Sequence, residues 1–197
     1  MAELALQTLA GCGLAIGAYP RFRYDARDGG GVGVLVAADP VGADIASGPG
    51  HGTLRFDPAT LRIPPLDWRT TRFLGLPLPP GLAITIHPEQ LEGCLDAATG
   101  TMALRFEARF RFAIGALYRA PDLIVATTLS TGPVQGRRHR ASGQPLDGEG
   151  RALLVGVAPI APSGDAWLDR FLGLPDEALA LLRCRLLPGA PEAQDLP

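Results

Sequence analysis

Between Thr101 and Ile114 the chain reads TMALRFEARFRFAI, and it alternates almost without error. Met102, Leu104, Phe106, Ala108, Phe110, Phe112 and Ile114 fall on one side. Ala103, Arg105, Glu107, Arg109, Arg111 and Ala113 fall on the other. Successive side chains of a strand point to opposite faces, whereas a helix would mix these phenylalanines and arginines. The run therefore predicts a long, half-buried β-strand. With 25 glycines and 19 prolines among 197 residues, the rest of the chain favours short strands and turns over a helix bundle. The expected fold is mainly β: an antiparallel, strongly curved sheet or barrel with short helical segments near the C-terminus. One domain is expected over residues 1–197, with a tail that frays from about residue 188.

Along the chain, residues 2–9 read as one or two helical turns. Residues 13–38 read as a hairpin, with Phe22 and Tyr24 alternating against Arg21 and Arg23. Its turn falls at Asp28-Gly29-Gly30-Gly31, and Val32, Val34 and Val36 alternate on the return. Residues 39–51 read as loop, and 52–56 and 60–63 as short strands. The prolines at 77, 79 and 80 exclude regular structure there, since proline removes a donor and locks φ. Strand 82–87 follows. Residues 89–95 then pair with the 101–114 strand, setting Leu95 opposite Met102, Gly93 opposite Leu104 and Leu91 opposite Phe106. The same register puts Glu92 opposite Arg105, a favourable cross-strand pair. Residues 122–129 and 152–158 read as further strands, around a polar loop from Ser130 to Gly150 that carries Gly136-Arg137-Arg138-His139-Arg140. Asp165 reads as the N-cap of a short helix through Phe171, and Pro175-Asp176-Glu177 as the start of another.

Several chemistries are excluded outright. All eighteen basic residues are arginine, and the chain holds neither Lys nor Asn. A P-loop and a Schiff-base enzyme need Lys; N-linked glycosylation and a Cys-His-Asn triad need Asn. Cys12, Cys94 and Cys184 form no CxxC pair, and His51, His87 and His139 have no ligand-spaced partner, so no metal site is expected. No serine sits in a GxSxG elbow. The run Gly29-x-Gly31 continues into Val34 and a strand, so it makes a turn and not a dinucleotide loop. No apolar run approaches the ~18 residues of a spanning helix. Leu9-Ala10-Gly11-Cys12 matches a lipoprotein box but lacks the basic and apolar stretches that precede one. A soluble, cytoplasmic protein is expected, with no cofactor.

Two features remain as candidate sites. Arg72-Phe73-Leu74-Gly75-Leu76-Pro77 recurs as Arg170-Phe171-Leu172-Gly173-Leu174-Pro175, with Trp68 and Trp167 just ahead. Each copy reads as a corner whose Phe and Leu residues plug the core, or as an aromatic flap framing one end of a cavity. Arg105, Arg109 and Arg111 share one strand face. They would grip an anionic group if that face curves inward, and pair with Glu92 and Glu107 if it faces solvent. Arg105, Arg109, Arg111, Trp68, Phe73, Trp167 and Phe171 are thus the candidate ligand-binding residues. A net charge of −2, with the phenylalanines of 101–114 on the face opposite the arginines, argues against nucleic acid.

The phrases Phe73-Leu74-Gly75-Leu76-Pro77-Leu78-Pro79-Pro80-Gly81-Leu82, Leu91-Glu92-Gly93, Leu95-Asp96, Thr99-Gly100, Arg105-Phe106, Leu117-Tyr118, Ala120-Pro121 and Phe171 to Pro175 resemble a family of unassigned activity. That family is shared by cyanobacteria and plastids, and the resemblance covers about residues 60–186. It implies a photosynthetic host and a role that is soluble or peripheral to the thylakoid. Missing transit-peptide features would suit a cyanobacterium. Two functions follow as expectations. The first is a non-catalytic binding or assembly factor, holding an apolar or anionic amphipathic small molecule or docking a thylakoid membrane-protein partner. The second is an enzyme whose site is assembled from Asp67, Asp165 and the Arg105/Arg109/Arg111 face. A structural protein with a filled core is the third possibility.

Overall fold

The computed structural model describes residues 1–37 and 51–189. In chain order the elements are β1 (Ala2–Thr8), β2 (Cys12–Ile16), β3 (Phe22–Tyr24), β4 (Gly30–Ala37), β5 (His51–Phe56), β6 (Thr71–Phe73) and β7 (Leu76–Pro77). They continue with β8 (Leu82–Asp96), β9 (Thr101–Ile114), β10 (Tyr118–Arg119), β11 (Leu123–Ser130), β12 (Pro133–Gln135) and β13 (Arg140–Ser142). β14 (Arg151–Ile160), α1 (Ala166–Leu172) and β15 (Asp176–Pro188) complete the chain. All pairings are antiparallel. The strands β1-β4-β5-β8-β9-β11-β14-β15 form a ring that closes through β1 and β15. The mainly β, antiparallel, curved architecture is therefore the one expected, with one short helix among the described residues.

The alternating run is β9, and it pairs with β8 in the expected register: Leu95 with Met102, Gly93 with Leu104, Leu91 with Phe106 and Glu92 with Arg105. β8 is longer than expected. Residues 82–87 and 89–95 are one strand interrupted by a bulge between Pro88 and Gln90. Several local expectations fail. The 2–9 segment forms strand β1 (Ala2–Thr8) and not helix, because hydrogen bonds from β4 on one edge and β15 on the other hold it extended. The 13–38 hairpin does not form: β3 pairs with β2 and β6, while β4 pairs with β1 and β5. Residues 60–63 contribute only an isolated bridge, Gly30 to Arg62. Pro77 ends the two-residue edge strand β7, a position where its missing donor costs nothing. Pro175-Asp176-Glu177 opens strand β15 and not a helix, since both edges of β15 find partners. The expected 39–51 loop and the tail beyond Gly189 fall outside the described residues, save His51 in β5.

Eight strands enclose an interior just wide enough to be filled by side chains or to hold one small ligand. The end near the Asp96–Thr101 turn is filled: Leu54, Leu104, Leu154 and Cys184 are fully buried there, with Phe56. The opposite end is covered by α1, whose Leu168 is fully buried against Phe112, Ala158 and Ile160. Asp165 caps this helix by accepting from the Leu168 N–H at 2.8 Å, and Gly173 ends it in the left-handed conformation at φ 71°. β2, β3, β6 and β7 leave the ring as a side sheet beside β15. The gap this opens is closed by residues 57–66, tied down at the Gly30–Arg62 and Leu66–Ile84 bridges.

The 130–150 segment is pinned. Its short β12–β13 hairpin closes on Glu177, whose carboxylate accepts the backbone N–H groups of Arg137 (2.7 Å), Arg138 (2.5 Å) and His139 (2.6 Å). Asp176 adds ion pairs to Arg137 and Arg138 at 3.2 and 3.0 Å.

Candidate functional site: an apolar interior

Phe106 and Phe110 point inward from β9 yet are only half-buried, unlike Leu104, Ala108 and Phe112 on the same face. The reason is empty space on either side of them. A cavity of about 110 Å³ is bounded by Leu14, Tyr24, Ile63, Ile86, Phe106 and Leu182. A second, of about 100 Å³, is bounded by Ile84, Phe112, Val125, Ile160, Leu172 and Ala178. Leu14, Phe106, Phe110 and Ala180 border both, so they lie side by side. Leu172 brings α1 into the wall of the second.

The polar side chains on these walls are turned away from the empty space. Thr8 Oγ donates to the Ala26 carbonyl, Tyr24 Oη to Pro64, Cys12 Sγ to Leu9 at 3.2 Å and Thr127 Oγ to Val157 at 2.8 Å. Burial pushes the Tyr24 phenol and the Cys12 thiol above their ordinary values, so both stay neutral. A buried water needs two to four polar partners, and these walls offer few. The space suits hydrocarbon. Arg62, exposed on the 57–66 strap, also borders the first cavity.

The arginines singled out from the sequence stand on the outer face of β9. Arg105 pairs with Glu107, Arg109 with Glu89, and Arg111 makes a bidentate pair with Asp122 at 2.8 and 3.0 Å. None of the three borders either cavity. Cys94 shares that outer face opposite Ala103, as its register requires.

The aromatic candidates divide. Trp68 is 48% exposed and carries the Arg69 guanidinium over its ring at 5.1 Å. Phe73, Phe171 and Trp167 join one chain of rings at the α1 end. Phe22 stacks on Phe73 at 4.6 Å, Tyr19 lies 6.4 Å from Phe73 and 6.2 Å from Phe171, and Phe171 stacks on Trp167 at 5.1 Å. Trp167 meets Tyr118 at 4.9 Å. The two RFLGLP copies thus converge on Tyr19 at the same end of the barrel, not at two ends of a cavity. Nor do both plug the core: Leu74 and Leu76 are about 70% exposed, whereas Leu172 and Leu174 pack against the core cluster around Leu168.

Asp67 and Asp165 are not brought into a shared pocket. Asp67 accepts the N–H groups of Arg69 (2.7 Å) and Thr70 (3.1 Å), and Asp165 caps α1, which holds its carboxyl below the usual range. Among the described residues no group of three or more His, Cys, Asp or Glu side chains could hold a metal ion. Among the described residues no helix is long and apolar enough to cross a membrane. The cavity-lining residues of β2, β3 and β15 had no sequence signal as a site. Leu14, Tyr24 and Ala180 look like any core positions until the ring closes around unfilled volume. No known protein family, curated protein or solved structure matches the chain.

Proposed function

We propose that this barrel is a non-catalytic binding protein that holds a small apolar molecule or a hydrocarbon chain in its interior. The observation that carries this reading is the pair of adjoining voids around Phe106 and Phe110. A cavity of about 150 Å³ lined by Leu, Ile and Phe stays dry and accepts benzene, and these voids belong to the same class. Empty apolar volume is destabilising, so a barrel that keeps it gains stability from an occupant. The family resemblance adds a photosynthetic setting, cytoplasmic or peripheral to the thylakoid.

The neutral probe N-phenyl-1-naphthylamine tests the reading. The wild-type chain should bind it saturably with a blue-shifted emission. Ala180→Phe, which places a ring where both voids meet, should weaken binding at least tenfold while the far-ultraviolet spectrum is unchanged. Absence of saturable binding, or equal binding by the variant, would return the protein to the filled-core, structural reading.

Leu74 (71% exposed), Leu117 (95%), Trp167 (48%) and Phe171 (42%) project beside the ring chain at the α1 end. Exposed apolar clusters of this kind mark docking faces, which supports a membrane-protein partner bound there.

A further inference from the structure

The side sheet carries a second feature on its solvent side. A cleft of about 530 Å³ runs along β2, β3 and β15, and Arg21, Arg23, Arg69, Arg72 and Arg183 line it. Asp25 is the one carboxylate on its wall, and Arg27 already holds it through Nε at 3.0 Å and Nη2 at 2.6 Å. Among the described residues, the carboxylate pairs of this protein go to Arg27, Arg55, Arg105, Arg109, Arg111, Arg137, Arg138, Arg151 and His51. None goes to the five cleft arginines. A chain of net charge −2 therefore concentrates uncancelled positive charge in one place.

Three of the five guanidinium groups are held in position. Arg23 and Arg72 are direct partners in the β3–β6 pairing. Like charges placed directly opposite each other destabilise a sheet unless something neutralises them. Arg72 donates from Nη1 to the carbonyls of Trp68 (2.8 Å) and Thr71 (3.2 Å), and Arg183 donates from Nε to Gly11 (3.3 Å). Arg69 lies over the Trp68 indole. Carbonyls and an indole orient these guanidinium groups but leave their full charge available. The floor is made by glycine: a Cβ on Gly13 would lie 3.4 Å from Arg21 Cδ, and one on Gly11 would lie 3.3 Å from Arg183 Cδ. The missing side chains let both arginines lie along the floor.

We propose that this cleft is a binding site for a phosphate-bearing ligand, with Arg23 and Arg72 as its central contacts. Guanidinium forks match phosphate oxygens bidentately, and an anion between Arg23 and Arg72 removes their repulsion. The site goes beyond the apolar interior and does not depend on it. The two lie on either side of the β2–β3 wall, which contributes Cys12, Gly13 and Tyr24 to both. The phosphate belongs either to a soluble ester or to a lipid headgroup.

Calorimetric titration of the full chain with phenyl phosphate, and flotation with phosphatidylcholine vesicles containing phosphatidylglycerol, form the two arms of the test. Saturation by phenyl phosphate alone identifies a soluble ester, and flotation with weak phenyl phosphate binding identifies a lipid headgroup. Either result supports the site, provided that Arg23→Gln/Arg72→Gln weakens the interaction at least tenfold and added salt weakens it too. No interaction in either arm, or an unaffected variant, overturns it. In phosphate-free buffer Arg23→Gln alone, which removes the repulsion and keeps the Arg72 hydrogen bonds, should melt no lower than wild type. A lower midpoint would make the pair structural and also overturn the proposal. The naphthylamine titration on the double variant should be unchanged, so either proposal can fail without the other.

Discussion

Cys12 and Cys184 are enclosed by the barrel wall, whereas Cys94 stands outside it on β8. Burial pushes both inner thiols up, Cys184 to about 12, and the attacking species is the thiolate. A maleimide dye at pH 7 should therefore label one cysteine per folded chain rapidly, and Cys94→Ser should abolish that phase. Rapid labelling of a second thiol would mean that the ring opens. Glu177 is the opposite case, a buried group kept charged. Burial acts to raise its carboxyl, but the three backbone N–H donors from 137–139 outweigh burial and hold it below the ordinary glutamate value. A depressed folded value stabilises the protein above the unfolded glutamate value of about 4.3, and the contribution is lost as pH falls through the folded value. Glu177→Gln should cost about 1–3 kcal/mol at neutral pH, because part of the acceptor set is lost. It should also flatten the acid limb of urea-unfolding stability plotted against pH. The sequence shows Glu177 only as a plausible helix-start acid; its donors come from forty residues earlier in the chain.

At the scale of elements, α1 joins the barrel to its exposed end. Leu168 and Leu172 face inward, while Trp167 and Phe171 stack on the outside. Leu168→Ala should lower stability by about 2–5 kcal/mol, the range for emptying a core leucine site. Asp165→Ala should cost about 0.5–2 kcal/mol through the lost cap; thermal and urea unfolding measure both. Equal small effects would show that the helix is only loosely docked. The two RFLGLP copies show how far a six-residue phrase determines structure. Copy one, after Thr71, becomes the β6–β7 hairpin because β3 offers an edge to pair with; copy two becomes the end of a helix capped by Asp165. Both bend at a glycine with positive φ, Gly75 and Gly173. The bend was legible and the element was not. The same holds at Pro175-Asp176-Glu177, where helix-start chemistry gave way to a strand with partners on both edges.

For the whole molecule, closure of the ring encloses the proposed interior site, and the side sheet beside β15 forms the wall of the proposed arginine cleft. If the interior takes a hydrocarbon ligand, occupancy should raise unfolding stability by about 2.7 kcal/mol at a hundredfold excess over Kd, since only the folded barrel can bind. Calorimetric melting with and without the naphthylamine probe measures this, and an unchanged midpoint at saturation would contradict it. Much of the frame was legible in the chain. The period-two run of β9 marked its two faces, and apolar continuity set the β8–β9 register across a short turn. Those are properties of near neighbours, which a sequence carries on its surface. The join of β1 to β15, the empty space beside Phe106 and the arginine cleft are different in kind. Each depends on residues far apart in the chain: Leu4 meets Pro188, and Arg21, Arg72 and Arg183 share one cleft. Which segments are strands, and which way their side chains point, follows from local alternation. Whether the enclosed volume is filled, and whether nearby charges cancel, depends on sums over distant segments, and only the closed tertiary structure performs those sums.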